Sequence, residues 1–202
     1  MLKRTILNII KYNIQSTKLP IIIGIILLLI IIRLVLLYKF KIKLVFYKEL
    51  LFLVTLVYLL FLFQVVTFQD VSWSTSNYTP FKEITRYKFG GKLFYKNVVG
   101  NLIMFIPYGF LVSYYFKLRK VYLALLLSFI ASLMIEYGQL LIGRVFDVDD
   151  IILNVIGGLL GFLIYKIVKF IVNKLANVLK RDYIFNIMGI VLVIGILVYI
   201  IF

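Results

Sequence analysis

Apolar residues fill this chain in blocks far longer than a soluble helix or strand needs, separated by short clusters of Lys, Arg, Asp and Asn. Six blocks, at about 21–38, 50–68, 98–116, 121–143, 151–171 and 183–202, approach the ~20 residues with which a helix crosses ~30 Å of hydrocarbon. In lipid every backbone N–H and C=O must be satisfied within the protein, so such runs predict helices. The expected fold is all-α: a polytopic transmembrane bundle of about six helices.

The blocks differ in what interrupts them. The first carries one charge, Arg33, close to the basic segment Lys39, Lys41, Lys43 and Lys48, and a cation so placed is expected to snorkel to the headgroups. The second has almost no polar content before Gln64 and reads as a lipid-facing or packing helix. In the third, Asn97, Asn101, Met104 and Tyr108 recur at helical spacing with Gly100 beside them, which predicts one polar face. Pro107, with Gly109 nearby, removes a backbone donor and is expected to kink that helix.

The fourth block steps Ser128, Ser132, Glu136 and Gln139 along one face at i, i+4, i+8 and i+11, a stripe that should point into the protein. Gly143 is expected to end this helix. A charged connection, Arg144 to Asp150, follows, in which Asp147 or Asp149 is placed to cap the fifth helix and meet its positive dipole end. Within the fifth helix Asp150 and Asn154 stand at i, i+4, and Gly157, Gly158 and Gly161 supply the small-residue spacing that lets another helix approach closely.

Outside the blocks, residues 1–19 are basic and fit either an interfacial helix or a disordered tail, with no cleavage site to mark a signal peptide. Residues 69–96, with Asp70, Trp73, Tyr78, Phe81, Tyr87, Phe89 and Phe94, read as a loop on the membrane surface, because aromatics of this kind settle at headgroup depth. Asn77-Tyr78-Thr79 matches the N-glycosylation pattern, which matters only in a secretory pathway. The last block reads as a peripheral helix. Three regions are expected: 1–45, a basic segment plus an extra helix; 46–171, the main membrane domain; and 172–202, a basic linker and C-terminal helix.

Composition supports a membrane protein, since 64% of the 202 residues are hydrophobic, against roughly 45–50% in soluble domains. The formal charge of +15 comes from basic residues lying between hydrophobic runs. That placement favours membrane lipids and their anionic headgroups as partners, and no nucleic acid. With neither Cys nor His, disulfides, thiolates, imidazole bases and the usual zinc ligands are absent, and no cofactor is expected. Placing 38–49, 117–120 and 166–182 in the cytoplasm puts twelve Lys/Arg inside against ten outside; this orientation is preferred, and it leaves the 144–150 connection on the exterior.

Charge in hydrocarbon costs a few kcal/mol per residue unless it pairs or faces water. Asn97, Asn101, Glu136, Gln139, Arg144, Asp147, Asp150 and Asn154 are therefore expected to converge as a buried polar site. Arg144 suits a carboxylate such as Glu136 or a phosphate, since guanidinium binds both bidentately. Such a site can be purely structural, holding the helices in register with no ligand, and three functions also fit it. One is a binding protein for a polar headgroup. The second is an intramembrane enzyme with Glu136 or Asp150 as general base and Asp147 and Asp149 as weak candidates for a divalent cation. The third is a small transporter using a carboxylate as proton relay. No nucleophile motif, phosphate-cradling loop or inverted repeat is visible, which weighs against the second and third.

Two passages resemble the VanZ-like family of bacterial membrane proteins, named for a teicoplanin-resistance component. NVVGNLIMFIPYGFL matches its N-x-x-G-N-x-x-x-F-x-P-x-G-F pattern at Asn97, Gly100, Asn101, Phe105, Pro107, Gly109 and Phe110. IEYGQLLIGRVFDVDDIILNVIGGLLG resembles its E-x-x-Q, R-x-F-D-x-D-D and N-x-x-G-G-x-x-G elements, and YTPFKEI its N-x-x-P-F segment. The resemblance covers about 78–165. It implies a four-helix core in the bacterial cytoplasmic membrane, a link to lowered susceptibility to teicoplanin and related lipoglycopeptides, and a lipid-linked wall precursor or the glycopeptide itself as partner. It brings no settled enzymatic activity.

Overall fold

A computed structural model describes residues 18–67, 76–174 and 182–201. Its helices are α1 (Lys18–Lys39), α2 (Phe46–Thr67), α3 (Lys82–Arg86), α4 (Lys92–Tyr115), α5 (Val121–Leu141), α6 (Val148–Lys174) and α7 (Asp182–Ile201). Among the described residues the architecture is all-helical, and α4, α5 and α6 are long and apolar enough to cross a membrane. The readings of residues 1–17, Asp70 and Trp73, and the linker at 175–181, fall outside the described residues.

The chain divides into two compact units, residues 1–61 with 177–202, and residues 62–176. In the first, Arg33 departs from the snorkelling expectation. Its Nε and Nη2 each donate at 3.0 Å to Glu49, a two-pronged pair across the α1–α2 turn, and Phe52 lies under the guanidinium. A carboxylate within reach suits the planar fork better than distant headgroups do. Asn186 of α7 accepts from Tyr47 N at 2.9 Å, satisfying one of the free donors at the start of α2.

In the second unit α6 packs against both α4 and α5. A Cβ on Gly157 would stand 2.3 Å from Leu102 O, one on Gly161 2.1 Å from Ile106 O, and one on Gly109 2.1 Å from Gly158 O, so α4 and α6 meet backbone to backbone. The small-residue spacing builds this crossing. On the other side Gly158 leaves room for Ser128 of α5, whose Oγ would lie 2.0 Å from an added Cβ. Gly100 and Pro107, also expected to serve helix packing, are exposed and lie off this crossing. Helical structure continues through Pro107 to Tyr115, and a π-helical stretch, Tyr95–Val99, lies earlier in α4.

The helices are inside-out relative to a soluble bundle. On α5 the buried residues are Ala124, Ser128, Ser132, Glu136 and Gln139, whereas Leu126, Phe129, Leu133, Met134 and Leu141 are exposed. Water would penalise that outer face and reward its exchange with the inner one, while lipid does the opposite.

Candidate functional site

The fourth-block stripe meets α6 as a ladder with a rung at each turn. Ser128 stands against Gly158, and Ser132 Oγ accepts from Asn154 Nδ2 at 2.9 Å. Glu136 Oε2 accepts from Asp147 N, one residue before α6, at 3.0 Å. As α5 ascends, its partners on α6 descend, as in any antiparallel pair. At the top, in the amide orientation that satisfies both neighbours, Gln139 donates to Glu136 Oε1 at 3.2 Å and accepts from Arg144 Nη1 at 2.7 Å.

Arg144 reaches that rung because of how α5 ends. Gly143, at φ +80°, takes the left-handed turn open to glycine. Gly143 N then donates to Leu140 O at 3.1 Å and Arg144 N to Gln139 O at 3.0 Å. These are the paired bonds of a Schellman ending, and they fold Arg144 back over the last turn, where a cation also complements the negative end of the helix dipole.

The aspartates divide the capping work. Asp147 Oδ1 accepts from Asp149 N at 2.9 Å and so caps α6; it also takes Asn77 Nδ2 at 2.9 Å. Asp149, fully buried, turns instead to α3. Its Oδ1 accepts from Phe81 N, and its Oδ2 from Glu83 N at 2.7 Å and Ile84 N at 3.1 Å. One carboxylate thus serves as N-cap for a helix 65–68 residues away in sequence. Asp150 accepts from Asn101 Nδ2 of α4, which draws the third long apolar helix into the cluster.

The segment before α3 is strapped to the same place. Asn77 N donates to Phe146 O at 2.8 Å, Val148 N donates to Asn77 O at 3.1 Å, and the Tyr78 and Phe146 rings stack. Asn77 is 6% exposed with its amide committed to Asp147 and to Thr79 N, so it is no glycan acceptor in this fold. Burial chiefly, with neighbouring carboxylates adding, pushes the Asp147 carboxyl above its ordinary range.

Of the eight residues expected to converge, seven gather here: Asn101, Glu136, Gln139, Arg144, Asp147, Asp150 and Asn154. Asn97 sits to one side, lining a separate cleft with Tyr87. Ser132 and Asn77 belong to the cluster and were missed as site residues. Ser132 was visible in the stripe, and Asn77 only as an Asx-turn residue before Pro80. Among the described residues the buried oxygens Ser128 Oγ and Asn154 Oδ1 have no hydrogen-bond partner. Asp149 has both oxygens engaged by backbone N–H groups, and among the described residues no three acidic side chains group as a metal site.

A family model described as VanZ/LLP1 matches residues 46–169. Protein VanZ of Enterococcus faecium is 29% identical over 154 residues, covering 74% of this chain and 88% of the relative. No solved structure matches.

Proposed function

The chain belongs to the VanZ/LLP1 family, and we propose that it is a multi-pass protein of the bacterial cytoplasmic membrane that lowers susceptibility to teicoplanin and related lipoglycopeptides by binding, without catalysis. Its ligand is the polar headgroup of a lipid or lipid-linked wall precursor, or the glycopeptide itself, held at the Arg144 end of the polar cluster. All six hydrophobic blocks span in this reading, with the 144–150 connection facing the exterior.

The observation that supports it is the placement of Arg144. Its guanidinium stands where α5 ends and α6 begins, braced by Gln139 at the boundary between an apolar bundle and its polar cap. A guanidinium there can take a phosphate or carboxylate oxygen in two parallel bonds. The enzymatic alternative has no comparable support, because Asp149 is committed to the α3 backbone.

The test is expression of wild type and Arg144→Ala in a teicoplanin-susceptible host at matched membrane abundance. Wild type should raise the inhibitory concentration and Arg144→Ala should not. Equal protection by the two would remove Arg144 from the account, and no protection by either would remove the resistance role.

A further inference from the structure

A second polar feature lies where α3 hands over to α4. Arg86, Tyr87, Lys88, Gly91, Lys92 and Asn97 line an open cleft of about 420 Å³. None of the cluster's carboxylates lines it. Residues 82–96 hold five basic side chains against one acidic.

The cleft is built by a tight turn. Gly91 N donates to Lys88 O at 2.9 Å, and Gly90 takes φ +76°, so the chain reverses and presents Lys88 and Lys92 to the same cleft. Tyr87 and Asn97, both partly buried, add a hydroxyl, which donates to Glu83 Oε2 at a long 3.4 Å, and an amide. Arg86 is paired with Glu83 at 3.2 Å, but its side chain is 70% exposed, and such a pair yields readily to a better-placed anion.

The surroundings place this cleft at headgroup depth. Phe89 is 86% exposed, and Leu93 and Tyr95 are also exposed beside it. Immediately afterwards α4 becomes an apolar helix long enough to cross a membrane. Exposed aromatics, a ring of cations and the start of a spanning helix together describe the interface, where acyl chains and phosphate groups meet.

We propose that the Arg86–Lys88–Lys92 cleft binds the phosphate of an anionic glycerophospholipid, with Tyr87 and Asn97 hydrogen-bonding the headgroup and Phe89 and Leu93 lying along the acyl chains. The site is distinct from Arg144, so loss of lipid here leaves the resistance reading to its own test.

The full-length protein in a zwitterionic detergent is titrated with phosphatidylglycerol, and bound lipid is counted by native mass spectrometry. Lys88→Ala/Lys92→Ala should weaken binding by about tenfold or more, whereas Lys117→Ala/Lys120→Ala, which removes equal charge elsewhere, should change it less than about twofold. The charge-keeping Lys88→Arg/Lys92→Arg pair should bind like wild type, and Asn97→Ala should weaken binding without any change of charge. The three lysine variants should melt with the wild type, since each altered side chain is exposed. Equal losses from the two alanine pairs would overturn the site in favour of diffuse attraction. So would binding of phosphatidylcholine as tight as that of phosphatidylglycerol, or complete displacement by millimolar inorganic phosphate, which would mark a site for free anion.

Discussion

At the scale of single residues, two serines on the same face of α5 separate the value of a made hydrogen bond from the cost of an unmade one. Ser132 accepts from buried Asn154, so Ser132→Ala strands an amide donor and should cost about 1 kcal/mol. Ser128 Oγ is buried without a partner among the described residues, so Ser128→Ala removes a desolvated hydroxyl and should be neutral or stabilising by up to about 1 kcal/mol. Chemical or thermal unfolding in matched detergent measures both, and equal losses would contradict this assignment. Asp147 carries a pH signature. Burial raises its folded-state pKa above the unfolded value, so the native state holds the proton more tightly. The stability this contributes is complete below the ordinary carboxylate pKa of about 3.9 and is lost as pH rises through the raised value. Asp147→Asn, which stays neutral and still caps, should therefore gain on wild type as pH rises above about 4. A stability difference flat across pH would show that this carboxyl does not titrate as described.

At the scale of elements, helix endings decide where charges go. α4 ends with Leu118 N on Ser113 O and Lys117 N on Tyr114 O, the same motif that ends α5, but its left-handed position is filled by Lys117 at φ +51°. A residue with a Cβ is strained there by roughly 1–2 kcal/mol, so Lys117→Gly should stabilise the protein by about 1 kcal/mol, read from its unfolding midpoint. Gly143 could be recognised from the chain alone, because glycine after a periodic run is itself the stop signal, whereas Lys117 carries no such mark. The same contrast governs the site. The α5 stripe was legible, since i, i+4 spacing fixes a face whatever packs on it, and so were the α6 glycines. Asp149 as the cap of α3 was not, nor was Glu49 as the partner of Arg33. Each joins groups through a fold that spacing does not encode, and each time the nearer explanation, a local cap or a snorkelling cation, was physically sound until a better partner arrived in space.

At the scale of the whole molecule, the buried polar and exposed apolar faces of α5 leave lipid as its natural solvent. Its 21 residues extend about 31 Å at 1.5 Å per residue, matching the ~30 Å hydrocarbon core. The chain contains no cysteine, so single thiols report position without background. Lys120→Cys and Ile142→Cys should be modified by a membrane-impermeant reagent from opposite sides of sealed vesicles, and labelling of both from one side would refute a spanning α5.

The α5 ladder also bears on how the protein is made. Taken alone, α5 brings Glu136 and Gln139 toward hydrocarbon before the groups that answer them exist, since Asp147 N and Arg144 lie beyond its end. An insertion machine that releases helices one at a time would meet an unfavourable segment. A machine that waits for the short 142–147 connection and releases α5 with α6 as a hairpin would meet a nearly finished one. A segment carrying α5 alone, residues 121–141, should accordingly remain extractable by alkali, and one extended through Lys174 should resist it.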